Sequence, residues 1–79
     1  MRVRIEYYAA LREQRGLGEE EIELADGDAV ALYDMLRTRH HLKLSRENLK
    51  LAINDEFAPW DRKLLDGDRL VFIPPVAGG

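Results

Sequence analysis

A single stretch, Ala29 to His41, has both the length and the spacing of a long helix, and most other patterned stretches alternate with a period of two. Ala29, Leu32, Tyr33, Leu36 and His40 fall at offsets of three, four, seven and eleven, which lines up one stripe. One helix can cover only one face of a sheet. The expected class is therefore α+β, a mixed sheet of about five strands with this one main helix packed across it. A chain of 79 residues has room for one domain and a thin core, without the depth for an enclosed active site.

The strands follow from alternation. In residues 2–8, Val3, Ile5 and Tyr7 share one face and Arg2, Arg4, Glu6 and Tyr8 the other. Ala9 to Arg15 reads as a short helix or turn stopped by Gly16. A second strand is expected at Glu21 to Leu24, with Ile22 and Leu24 inward and an acidic, solvated outer face. Asp26-Gly27-Asp28 supplies a turn and a helix N-cap, and Arg37, Arg39, His40 and His41 suit the negative end of the helix dipole. After a connector at Ser45 or Arg46 to Asn48, Leu49, Leu51 and Ile53 alternate with Lys50, Ala52 and Asn54. Asn54-Asp55 predicts a tight hairpin turn, and Glu56 to Ala58 a short return strand that Pro59 ends. Asp66-Gly67-Asp68 is a further turn before the last strand, Arg69 to Ile73, with Leu70 and Phe72 on one face and Val71 and Ile73 on the other. Val3, Ile5, Leu51, Ile53, Leu70 and Phe72 then form the face under the helix. Tyr8, Val71 and Ile73 are apolar where alternation points to solvent. If the first and last strands are parallel neighbours, Tyr8 and Ile73 lie at the end from which the tail leaves. A partner surface and loop cover are both compatible with that pattern.

Charge and composition narrow the function. A net charge of -3, with Glu19, Glu20, Glu21 and Glu23 clustered, argues against nucleic acid or an anionic membrane as partner. With no cysteine there is no disulfide, thiolate metal site or cysteine nucleophile. Met1-Arg2-Val3-Arg4-Ile5-Glu6 is too charged for a signal peptide, so a cytoplasmic location is expected. His40 and His41 point about 100° apart on a helix and do not converge on a metal. Asp26, Asp28, Asp66 and Asp68 lack the alternating oxygen ligands of a calcium loop and read as turn and cap residues. Ser45 has no strand-turn-helix elbow, and no glycine-rich loop precedes a Lys and a Ser or Thr, so hydrolase chemistry and nucleotide binding are not expected. Trp60 suits the rim of the core or an interface.

The tail, Pro74-Pro75-Val76-Ala77-Gly78-Gly79, has a mechanical reading. Two prolines hold it extended and remove two donors, so residues 74–79 are expected to project from a domain of residues 1–73. Six residues reach about 20 Å. Gly78 and Gly79 can thread a narrow channel, and the Gly79 carboxylate can be activated.

Several motifs resemble one family. Tyr7-Tyr8-Ala9-Ala10-Leu11-Arg12-Glu13, Ala52-Ile53-Asn54-Asp55-Glu56, Leu64-Leu65-Asp66-Gly67-Asp68-Arg69-Leu70 and the terminal Pro-Pro-Val-Ala-Gly-Gly are similar, in order, to motifs of the molybdopterin synthase small subunit. The resemblance spans essentially the whole chain. It implies a ubiquitin-like β-grasp fold and a sulfur carrier rather than a catalyst. An activating adenylyltransferase and sulfurtransferase would consume ATP to adenylate Gly79 and convert it to a thiocarboxylate. The tail would then enter the large synthase subunit and give sulfur to cyclic pyranopterin monophosphate, the chain itself binding neither cofactor nor metal. By position, Tyr8, Phe57 and Ile73 match apolar docking residues of the family, and Val71 joins them from the alternation. Tyr stands for a commoner Phe in the first motif, Ala77 for a commoner Ser or Thr, and Trp60 has no assigned counterpart. The thiamine-pathway sulfur carrier is the nearest alternative, against which Pro74-Pro75 tells. A ubiquitin-like modifier joined to lysines through Gly79, or an interaction module with an inert tail, are alternatives of other classes.

Overall fold

A computed structural model describes residues 1–75; the tail positions Val76, Ala77, Gly78 and Gly79 lie outside the described residues. In chain order the elements are β1 (Arg2–Tyr7), α1 (Ala9–Arg15), β2 (Glu19–Glu23), α2 (Ala29–His40), a 3-10 turn (Arg46–Asn48), β3 (Lys50–Ile53), β4 (Glu56–Ala58) and β5 (Arg69–Ile73). The sheet order is β2-β1-β5-β3-β4, with β1 and β5 parallel and the other neighbours antiparallel.

Turn chemistry sets most boundaries. Asn54 and Asp55 both take positive φ, 53° and 72°, as a tight hairpin turn requires, so β3 folds straight back as β4. Asp28 caps α2 by accepting from the Ala31 amide at 3.1 Å, and His41, at φ 56°, closes its other end. The helix therefore ends one residue before the expected His41. The stretch at Ala9–Arg15 is a true helix, ended by Gly16 at φ 83° with its amide on the Arg12 carbonyl.

One strand departs from expectation. β2 begins at Glu19, not Glu21, and its register sets Glu20 opposite Ile5 on the covered side of the sheet. Extending the Ile22 and Leu24 alternation upstream leads to Glu20, but a carboxylate at an inward position breaks the apolar pattern. Its partners compensate. Arg15 donates from Nε and Nη2 at 2.8 and 2.7 Å, and the Tyr7 hydroxyl donates at 2.6 Å. Those bonds, Arg15 first, hold the Glu20 carboxyl below its ordinary range against the upward push of burial. Burial and then the Glu20 bond push the Tyr7 hydroxyl well above its usual value.

The core lies between sheet and α2. Val3, Ile5, Leu51, Ile53, Leu70 and Phe72 are buried as the alternation predicts, against Ala29, Leu32, Tyr33 and Leu36. Leu11, Leu42, Leu49 and Leu64 complete it from α1 and the connecting segments. Each such side chain contributes about 1.5–3 kcal/mol of burial. Trp60 stacks on Phe72 with centroids 5.8 Å apart and meets Tyr33 edge-on at 6.0 Å, which makes it a half-buried rim residue.

Candidate functional site

Parallel pairing of β1 and β5 sets Tyr7 beside Phe72. One residue further along each strand, Tyr8 and Ile73 leave the same end of the sheet, as the sequence anticipated for parallel neighbours. β5 stops there, because Pro74 has no amide to donate to a ladder. Pro74 is half-buried and Pro75 exposed, so the chain turns to solvent at this end.

The outer face of the sheet reads as rows across the strands. One row runs Glu19, Glu6, Val71, Ala52, Phe57 and the next includes Lys50 opposite Ile73. Phe57 is 73% exposed and Tyr8 50%, whereas Val71 is only 9% exposed. Val71 is outward-facing by register, yet its neighbours leave little of it for a partner to touch. A shallow pocket of about 220 Å³ is lined by Ala52, Asp55, Phe57, Val71 and Ile73. A larger groove of about 580 Å³ continues past Phe57 and Ile73 to Leu49, Lys50, Pro74 and Pro75. Exposed aromatics, an apolar pocket and the tail exit thus adjoin. Large apolar side chains left in water on such a surface are characteristic of partner contact.

Polar groups border the patch. Arg69 donates to Glu6 at 3.2 Å and pairs with Asp55, and the Tyr8 hydroxyl donates to Glu6 at 3.1 Å. The Glu6 bond raises the Tyr8 hydroxyl above its ordinary value. Sequence reading missed this arrangement, since Glu6 and Arg69 meet only through the β1–β5 register.

Other candidates have structural roles. Asp28 is the α2 cap, Asp26 accepts from the Asp28 amide at 3.2 Å, and Asp66 from the Arg2 amide at 2.7 Å. Asp68, 5% exposed, accepts from the Leu65 amide, Arg62 and Asn54, each at 2.8 Å. Burial favours its neutral form, but those three donors together hold the carboxyl below its ordinary range. Ser45 Oγ accepts from the Asn48 side chain at 3.1 Å. Burial, with Arg15 nearby, lowers the His40 imidazole, and His41 is exposed at the helix end. Among the described residues no group of three or more His, Asp or Glu is placed to hold a metal, and no helix is long and apolar enough to cross a membrane.

A sequence model described as the ThiS family matches residues 5–79, nearly the whole chain and through its last glycine. The chain belongs to the ThiS family. Its relatives include the molybdopterin synthase sulfur carrier subunit of Mycobacterium tuberculosis, 35% identical over 82 positions that cover 100% of this chain and 99% of the relative. Among solved structures, a Pyrococcus furiosus chain provisionally designated molybdopterin converting factor subunit 1 is 32% identical, with a TM-score of 0.77, covering 95% of this chain and 98% of that one. A Helicobacter pylori chain solved in the complex of subunits 1 and 2 of molybdopterin-converting factor is 25% identical, with a TM-score of 0.70 and full coverage of both. The five-stranded mixed sheet crossed by α2 is accordingly the ubiquitin-like β-grasp fold of this ThiS-family member.

Proposed function

We propose that this chain is the sulfur carrier subunit of a molybdopterin synthase, with Gly79 as the carrying residue. The observation that carries the reading is geometric: β1 and β5 run parallel, so the chain passes from β5 toward the tail beside the exposed Tyr8 and Phe57 and the half-buried Ile73. The docking face and the outgoing tail can therefore engage one partner together. Full-length similarity to molybdopterin synthase sulfur carriers supports the same assignment and favours it over the thiamine alternative.

In this reading the chain supplies a handle and its partners supply the catalysis. A carboxylate resists nucleophilic attack, so an activating enzyme first lets the Gly79 carboxylate attack the α-phosphorus of ATP, releasing pyrophosphate and leaving an acyl adenylate. Sulfide-level sulfur, as hydrosulfide, then attacks the acyl carbon and displaces AMP, and loss of its proton leaves a thiocarboxylate whose anionic sulfur attacks readily. Val76, Ala77, Gly78 and Gly79 thread the large subunit, where sulfur passes to cyclic pyranopterin monophosphate. Glycine suits the last two positions because no side chain obstructs a narrow channel.

Intact mass spectrometry of the chain from cells making the cofactor tests this. The expected product carries one oxygen-to-sulfur exchange at Gly79. Recovery only as lysine conjugates would establish the modifier alternative instead, and an unmodified terminus would sink both.

A further inference from the structure

On the outward face, four polar side chains that sulfur chemistry leaves unused are linked in one run. The Tyr8 hydroxyl donates to Glu6 Oε2 at 3.1 Å, Arg69 Nη1 donates to Glu6 Oε1 at 3.2 Å, and Arg69 Nη2 pairs with Asp55. This run joins the residue that leads into α1 to the turn that carries β4 and Phe57. In between, Glu6 faces Val71, Val71 faces Ala52, and Ala52 faces Phe57. The polar run therefore borders the apolar pocket lined by Ala52, Asp55, Phe57, Val71 and Ile73.

The Arg69–Asp55 end of the run is exposed and adds little to stability, and the partly covered Glu6–Arg69 end is better explained by what it orients. A half-exposed tyrosine ring otherwise samples several rotamers, and docking must freeze them. Glu6, largely covered and already held by a guanidinium, is an acceptor fixed in advance.

On the sulfur-carrier reading above, we propose that Glu6 and Arg69 are positioning residues, holding Tyr8 and the Asn54–Asp55 turn in the arrangement that the large subunit meets. The docking face is then preformed rather than assembled on contact. Neither residue needs to touch the reacting atoms.

Binding of the wild-type chain, Tyr8→Phe, Glu6→Ala and the double variant to the large subunit, measured by calorimetry, tests the proposal. Each single change is expected to weaken binding about threefold to tenfold, and the double change no more than the larger of the two single losses, because both remove one linkage. Glu6→Gln, which keeps an acceptor for Tyr8 but loses the ion pair, should fall between. Additive losses, or unchanged binding by Glu6→Ala, would overturn it. Tyr8→Phe removes one hydroxyl at a half-exposed site and keeps the test valid even if Glu6→Ala folds poorly. A second readout separates positioning from plain stability: tyrosine absorbance titration of Glu6→Ala should show Tyr8 returning toward its ordinary value, and an unmoved titration counts against the linkage. A wild-type chain that fails to bind the large subunit removes the sulfur-carrier reading itself, whereas wild-type binding unaffected by Glu6→Ala removes only the positioning role.

Discussion

Gly27 and Leu64 touch backbone to backbone: the Leu64 amide donates to the Gly27 carbonyl at 2.9 Å, and a Cβ on Gly27 would stand 2.5 Å from the Leu64 oxygen. This contact ties the loop between β4 and β5 to the start of α2. Gly27→Ala must push that loop away and loosen Leu64, which is fully buried. A loss of about 1–3 kcal/mol is expected in denaturant unfolding. An unchanged midpoint would mean that the loop is not seated there.

Glu20 and Asp68 link stability to acid. Both carboxyls sit below their ordinary values in the folded chain. Their contribution is complete above the unfolded carboxylate range, about pH 4, and disappears as pH falls through the depressed folded values. Glu20→Gln or Asp68→Asn should lower stability at neutral pH by about 1–3 kcal/mol. Each should also flatten the acid limb of the stability curve, and a limb as steep as wild type would show that the replaced group titrates normally.

Most of the sheet was legible in the sequence, but two parts of the structure were not. β4 and β5 fall at Glu56–Ala58 and Arg69–Ile73, as read, because turn residues bound both. Glu20 escaped because an inward carboxylate violates alternation, and only Arg15 and Tyr7, brought to it by folding, make the position tolerable. Leu11, Leu42 and Leu64 join the core from a short helix and connecting segments, where there is too little periodicity to mark an inward side, whereas Leu49 is buried as its alternation with Leu51 and Ile53 implied. At the candidate site the outward apolar residues were visible as exceptions to a period of two. The Glu6 and Arg69 linkage was not, since it depends on which strands are neighbours.

Phe57 gives a direct measure of the docking face. It is 73% exposed and packs little against its own chain, so Phe57→Ala should change stability by no more than about 0.5 kcal/mol. Binding to the large subunit should weaken by at least about tenfold if Phe57 is an anchor. Tyr8→Glu and Ile73→Glu are expected to act in the same direction, by placing a charge against an apolar partner. Equal affinity for all three would move the interface to another face.

Removing Gly79, or adding one residue after it, should abolish sulfur transfer in a reconstituted synthase assay. Thermal unfolding should stay close to wild type, because β5 ends at Ile73 and the packed core lies before it. Transfer at the wild-type rate by the shortened chain would refute Gly79 as the carrier.

β2 lies at one margin of the sheet, with Glu19, Glu21 and Glu23 along its outer side and Glu20 turned inward. A margin strand is a template on which a second molecule can add its own strand, and a small β protein at high concentration is exposed to that hazard. Arg2, Arg4 and the N-terminal amine offset Glu21 and Glu23 in part, but a second β2 arriving edge to edge would still bring an acidic row against its like, which disfavours the added strand. The acidic stretch that argues against nucleic acid thus also makes this margin a poor template for a second copy of the chain.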